Sequence, residues 1–264
     1  MLASAYITTY GANPLEAVEE VKRSGFDAIG LRLAGPVGHP LNHPIISDAS
    51  MIHALKVRTA ELDLAILDIE LITLTPEFVP DSALPLLDTA AELNAQFVQV
   101  VGEDANEARA CENLKTVCDE AANRRLSVAL EFMAFRSLDT LARANAWLEQ
   151  IDAPNAAILV DALHLARSGG TPSDVAALPL NRVAFVQLCD APGQAPKDIV
   201  YEARNARLYP GDGSLPLRQL LAVANQVPIS IEVPCLRTAH LSPAQQCELA
   251  FRKLNMFLTN QDET

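Results

Sequence analysis

Short apolar runs alternate with amphipathic segments along the chain, a pattern that predicts strands and helices taking turns. The runs mark strands at Leu2 to Thr8, Asp27 to Leu33, Leu64 to Leu71, Gln96 to Gly102, Ser127 to Met133, Ala157 to Leu163, Val183 to Cys189 and Pro228 to Pro234. Pro14 opens a helix with Leu15, Val18 and Val21 at helical spacing and Gly25 just past its end. Ser47 to Leu62, Asp81 to Asn94, Asp104 to Arg125, Ser137 to Gln150, Leu215 to Val227 and Ser242 to Leu258 fill most other slots, and the sixth helix, near Pro172 to Leu178, is short. Eight strand–helix units without a Gly/Ser linker or low-complexity tract predict an α/β fold, a single-domain (β/α)8 TIM barrel over residues 1–264. A doubly wound sheet is the alternative. It lacks its fingerprint here, since no GxGxxG follows the first strand and no GxxxxGK[ST] occurs, so no nucleotide cofactor is expected.

Four runs close on a polar residue: Glu131 in SVALEFM, Asp161 in AAILVDALH, Gln187 in VAFVQLCD and Glu232 in PISIEVP. A single polar residue at a strand end is commonly a cap or a solvated group. On consecutive strands at equivalent positions, the set instead points to the rim where carboxyl ends of barrel strands deliver catalytic side chains. Three carboxylates and one amide oxygen suit one hard divalent cation, Mn2+ or Mg2+, with open positions for substrate oxygens.

Charge and composition narrow the function classes. With 20 Lys and Arg against 33 Asp and Glu, the net charge of −13 argues against nucleic acid. The five cysteines form no CxxC and no disulfide framework, which fits reduced thiols. The opening MLASAYITTYGANP lacks the basic segment and apolar core of a secretion signal, and no apolar run approaches the ~20 residues that cross a bilayer, so a cytoplasmic location away from the membrane is expected. None of Lys22, Lys56, Lys115, Lys197 and Lys253 stands at a strand end, which disfavours Schiff-base chemistry.

Two loops carry further candidates. Cys189 to Leu215 is long for a barrel connection and holds Tyr201, Arg204, Arg207, Tyr209 and the turn Pro210-Gly211-Asp212-Gly213, whose aspartate disfavours a phosphate grip. The stretch GLRLAGPVGHPLNHP places Arg32 at a strand end and His39 and His43 among stiff residues suited to a lid. Arg32 and Arg207 each offer a planar fork for a carboxylate or vicinal hydroxyls, or are surface arginines. Glu70, with Asp68 on the same strand face, is a substrate contact or a cap; His39 counts with the substrate contacts, although such histidines are also commonly structural. His164, three residues after Asp161, acts on the substrate or caps a loop, and Asp190 orients a ligand or makes a turn.

Glu131, Asp161 with His164 beyond it, Gln187 in FVQLCDAP, Arg207 before PGDG and Glu232 in SIEVP resemble the xylose-isomerase-like TIM-barrel superfamily. Within it they are most similar to the sugar phosphate isomerase/epimerase group, which includes inosose dehydratase and 3-dehydroshikimate dehydratase relatives. The resemblance covers the whole chain and is stronger in its second half. It implies that Glu131, Asp161, Gln187 and Glu232 bind the metal and that Glu131 and Glu232 flank the reacting carbon as an acid/base pair. Many relatives have histidine where Gln187 stands, and a neutral oxygen ligand favours Mn2+ or Mg2+ over zinc. The function expected first is a metal-dependent isomerase or epimerase of a keto-sugar or polyol, moving a proton through a metal-stabilised enediolate. A dehydratase of the 3-dehydroshikimate or inosose type is the alternative, favoured if Arg32 and Arg207 both face a substrate carboxylate; a non-catalytic ligand-binding barrel is the third. The partner expected is a small sugar, polyol or cyclic keto-acid, and a homo-oligomer is compatible with this branch. The endonuclease branch, with its extra histidine ligands and basic face, fits this acidic chain poorly.

Overall fold

The computed structural model describes residues 1–5, 12–34, 43, 45–46 and 48–260. The strands are β1 (Leu2–Ser4), β2 (Ala28–Arg32), β3 (Ala65–Leu74), β4 (Phe97–Gly102), β5 (Ser127–Glu131), β6 (Ala156–Asp161), β7 (Val183–Leu188) and β8 (Ile229–Ile231). Each pairs in parallel with the next, and Leu2 opposite Ile229 and Ser4 opposite Ile231 close β8 onto β1, so the sheet is a closed barrel. Outside it run α1 (Pro14–Ser24), α2 (Ala49–Glu61), α3 (Leu84–Glu92), α4 (Glu107–Asn123) and α5 (Leu141–Ile151). Beyond β6 come α6 (Ala162–Arg167) and α7 (Pro172–Ala176), then α8 (Ile199–Asn205), α9 (Leu217–Val223) and α10 (Pro243–Thr259). The expected (β/α)8 barrel is therefore the fold, with α6 and α8 as short additions that the apolar pattern did not mark.

Local chemistry explains the helix boundaries. The Asn13 side chain accepts from Leu15 N–H at the start of α1, Pro14 occupies its first turn, and Gly25 ends it in the left-handed region at φ 108°. Ser242 and Gln245 form a reciprocal capping box on α10. Several strands stop earlier than their apolar runs. Asp161 both ends β6 and caps α6 through His164 N–H, so Ala162 and Leu163 turn helical where the apolar run continued as strand. Glu232 follows β8 instead of lying within it. Of the strand expected from Leu2 to Thr8, the residues beyond Ala5 lie outside the described residues.

The core has two compartments. Outward-facing Val98, Val100, Val128, Leu130, Ile158 and Val160 are fully buried against the helix layer. Inside the barrel, Ala3, Ala28, Leu67, Ala129, Leu159 and Phe185 form a separate apolar plug, with the Phe97 and Phe185 rings 5.5 Å apart between centroids. Strand side chains alternate faces, so residues two positions on face the same lumen. Those positions after Phe97, Ala129, Leu159 and Phe185 are Gln99, Glu131, Asp161 and Gln187. The plug thus forms the floor of a polar chamber at the carboxyl end of the strands. Among the described residues no helix is long and apolar enough to cross a membrane, and all five cysteines are free.

Candidate metal and proton-transfer site

Glu131, Asp161, Gln187 and Glu232 are all buried around this chamber. Asp161 and Gln187 lie directly opposite each other in the pairing of β6 with β7, and Ser230, two residues before Glu232, lies opposite Gln187. Four neighbouring strands therefore bring the sequence-derived metal set to one side of the barrel mouth.

Arg207 enters this group from the long connection after β7. Its guanidinium is buried: Nη1 donates to Asp161 Oδ2 at 2.6 Å, lies 3.3 Å from Glu232 Oε2 and approaches Cys189 Sγ at 3.5 Å, while Nε donates to Ala203 O at 2.9 Å. Burial works against the Arg207 charge, but Asp161 and Glu232 outweigh it and hold the guanidinium firmly protonated. Burial likewise pushes Asp161 upward, yet Arg207, His164 and the His164 N–H bond bring it below the usual carboxylate range. Arg207 therefore faces the carboxylate ring and is closed off from solvent, whereas Arg32 keeps some exposure.

The loop that delivers Arg207 is held by Asp190. Its carboxylate accepts from the N–H groups of Ala191, Gly211, Gly213 and Leu215 at 2.9–3.0 Å, and its backbone pairs with Leu208 in both directions. Asp190 is thus the turn residue of the two roles open to it. A Cβ at position 213 would lie 2.4 Å from Asp190 Oδ1 and 2.5 Å from Ala191 O, so only glycine admits this close approach.

On the opposite flank, Glu131 Oε2 accepts a hydrogen bond from Gln99 Nε2, and Oε1 lies 3.8 Å from His164 Nε2. Burial, then Glu232 and Asp161, hold Glu131 well above the ordinary carboxylate range. Glu232 is pushed up to about 7 by burial, with Arg207 opposing and Glu70 and Asp161 adding. Burial drives His164 down to about 4 despite the pull of Asp161, so its imidazole is neutral at physiological pH. The Phe135 ring packs edge-on against it at 5.4 Å.

Across the lumen, Arg32 Nε donates to Glu70 Oε2 at 2.8 Å, and Nη2 contacts the same oxygen. Two residues earlier, Asp68 is fully buried with neither oxygen hydrogen-bonded, against Gly30, where an added Cβ would lie 2.6 Å from Oδ1. Burial and then Glu70 and Glu232 raise Asp68 well above its usual value. His39 lies outside the described residues. Sequence reasoning missed Gln99, because it sits inside the run QFVQVVG and not at its end; its signal is the two-residue offset from Phe97 that it shares with the offset of Glu131 from Ala129. It also missed Phe135 and Arg136 in the loop after β5.

The donor set fits a hard divalent cation on one structural observation. Both amide atoms of Gln187 are buried without a hydrogen-bond partner, an arrangement that leaves Oε1 as a free neutral ligand beside the acids. Among the described residues no three His, Cys, Asp or Glu side chains are already drawn into a metal cage. Arg207, between Asp161 and Glu232, supplies positive charge to the same carboxylates.

The closed parallel barrel with its polar chamber places the molecule among TIM-barrel proteins whose chemistry sits at the strand carboxyl ends. The pattern of the xylose isomerase-like TIM barrel family matches residues 18–253, and the chain belongs to that family. Its members include epimerases and dehydratases. The chain is 31% identical over 156 residues to a 3-dehydroshikimate dehydratase of Pseudomonas aeruginosa, a match covering 55% of this chain and 24% of that protein. The chain thus spans about a quarter of the length of this curated relative. Among solved structures, the IOLI protein with a bound zinc atom superposes with a TM-score of 0.84 at 15% identity, covering 100% of this chain and 99% of that one. D-allulose 3-epimerase from Methylomonas sp. in complex with D-allulose gives 0.74 at 17%, covering 99% and 96%. At these identities the two structures share the fold.

Proposed function

We propose that this barrel is a divalent-metal-dependent dehydratase acting on a cyclic hydroxy-keto acid of the 3-dehydroshikimate kind. The observation that carries proton transfer is the pair Glu131 and Glu232, both buried at the same chamber and both held above the ordinary carboxylate range. Likeness to a dehydratase at 31% identity over more than half of the chain favours the lyase over the isomerase expected first from the sequence. Epimerisation of a keto-sugar stays as the second reading, because the same acid/base pair serves it.

Glu131, Asp161, Gln187 and Glu232 would hold the cation, which when bound would polarise a substrate carbonyl and make the neighbouring C–H more acidic. Glu232, buried at the chamber, takes that proton as the general base. The proton that Glu232 takes is the one the departing hydroxyl needs to leave as water, and His164, uncharged and 3.8 Å from Glu131, would donate a hydrogen bond to that hydroxyl. One C–H and one C–O bond break, one C=C forms, and water leaves. Gln99 keeps the Glu131 carboxylate in position, and Arg207 does the same for Asp161 and Glu232.

The test is manganese-loaded protein with 3-dehydroshikimate, followed by ultraviolet absorbance, since loss of water aromatises the ring. Growth of that absorbance, abolished in Glu232→Gln, is the expected result. Deuterium uptake by D-allulose from deuterated buffer, with no new chromophore from the keto-acid, would replace the lyase by the epimerase.

A further inference from the structure

The connection after β7 leaves the barrel through residues 192–198, all of them exposed, and returns as α8, whose buried residues are Glu202 and Ala203. A short helix with so little buried face is not anchored by packing alone. Arg167, the last residue of α6, fastens it. Its Nε donates to Glu202 Oε2 at 2.7 Å and its Nη2 to Glu202 Oε1 at 2.8 Å, a two-pronged ion pair whose side chains are only 4% and 5% exposed. Nη2 also donates to Pro192 O at 2.8 Å, so one guanidinium grips the connection where it departs and where it returns. The bonds that Asp190 accepts join the two ends of the connection and leave α8 between them untouched.

Among the described residues neither side chain of this pair bonds to a chamber acid, yet the pair closes a ring of contacts that passes through the chamber. Ala203, next to Glu202, offers its carbonyl to Arg207 Nε at 2.9 Å, and Arg207 Nη1 donates to Asp161 Oδ2 at 2.6 Å. Asp161 Oδ1 accepts from His164 N–H at 2.9 Å, and α6 leads from there back to Arg167. A buried ion pair adds little net stability over an apolar pair of similar volume, whereas its bidentate geometry fixes both distance and direction. We propose that Arg167 and Glu202 are positioning residues: their ion pair holds α8 so that Arg207 stays on Asp161, and it touches none of the reacting atoms. Without the pair, α8 drifts, Ala203 O leaves Arg207 Nε, and the guanidinium loses its backbone anchor. Only the reading of Asp161 as a cation ligand is taken from the proposed function.

Solvent exchange of the Arg207 Nε–H, followed by NMR in metal-free, arginine-labelled full chain, reads this anchor directly. The signal is assigned by its loss in Arg207→Lys, and the Nε–H of Arg32, bonded to Glu70 on the other side of the lumen, is the control. In Glu202→Gln the Arg207 signal exchanges about 10- to 100-fold faster, the range of a charged hydrogen bond, while the Arg32 rate moves by less than about twofold. Arg167→Lys, which keeps the charge and loses the fork, falls between wild type and Glu202→Gln. Manganese affinity in calorimetry weakens about 10-fold in Glu202→Gln, as it does when a ligand loses its outer support. An unchanged Arg207 rate, or equal acceleration at Arg207 and Arg32, overturns the positioning role, and so does an unchanged manganese affinity alongside a faster Arg207 signal. If circular dichroism shows Glu202→Gln unfolded, Arg167→Lys decides on the same signals: faster exchange at Arg207 alone supports the role and an unchanged rate overturns it. Faster exchange at Arg207 in a chain that binds no manganese and dehydrates nothing would sink the lyase and keep the positioning pair; dehydration with an unmoved Arg207 signal would do the reverse.

Discussion

The floor and the chamber of the barrel are made by the same strands, two residues apart, and they obey opposite rules. On the floor, Ala129, Leu159 and Phe185 are fully buried and touch apolar neighbours, so packing and removal from water stabilise the fold. One step up the lumen, Glu131, Asp161 and Gln187 are just as buried, but the Glu131 and Asp161 carboxylates repel each other and both amide atoms of Gln187 lack a partner. Burial that stabilises the floor destabilises the chamber, and the buried Arg207 guanidinium offsets part of that loss. Groups kept buried at such a cost are the ones that chemistry needs poised.

The sharpest break of this contrast is Asp161→Ala. It removes the main partner of Arg207, the cap of α6 and a proposed metal ligand in one change, and leaving a buried guanidinium without that partner costs about 3–5 kcal/mol. Urea denaturation should show that loss, and mass spectrometry should show manganese falling from about one ion per chain to none. A variant that keeps both stability and metal would mean that Arg207 and the cation do not depend on this carboxylate.

A pair of changes on β7 sharpens it further. Phe185→Ala on the floor should cost about 3–5 kcal/mol by opening a cavity, with manganese affinity of the folded protein kept. Gln187→Leu, two residues on, should leave stability within about 1 kcal/mol or raise it, because an orphaned amide is replaced by an apolar group of similar size. Its manganese affinity should fall about 10- to 100-fold. Similar stability losses at both positions would erase the distinction between the two layers.

The smallest effect expected is on pH. Glu131 and Glu232 must be ionised to hold a cation, and both sit above the usual range, Glu232 at about 7. Cation binding therefore releases protons, and apparent manganese affinity should rise with pH below 7, by up to about tenfold per unit for each acid that must ionise. Titrations at several pH values read this directly; an affinity independent of pH below 7 would show that the chamber acids are already ionised.

Much of the chamber was legible from the strand ends. Glu131, Asp161, Gln187 and Glu232 each interrupt an apolar run, and a change from apolar to polar is what a strand looks like as it leaves a floor for a rim. Gln99 was hidden because apolar valines follow it, and in a closed barrel the lumen is defined by the two-residue period and not by the end of the run. The partners of Asp190, and Arg136 itself, were hidden for another reason. Asp190 gathers backbone N–H groups from up to 25 positions further along the chain, and Arg136 pairs with Glu103 from the loop after β4.

The amino-acid sequence by itself determined the alternation of elements, the closed eight-strand barrel and which strand ends carry acids, because period, capping and apolar spacing are local properties of the chain. Only the tertiary structure decided which acids stay poised, which guanidinium neutralises them and which face outward. Those outcomes depend on desolvation and on distances of a few ångströms between strands far apart in sequence, and closing the barrel is what sets both.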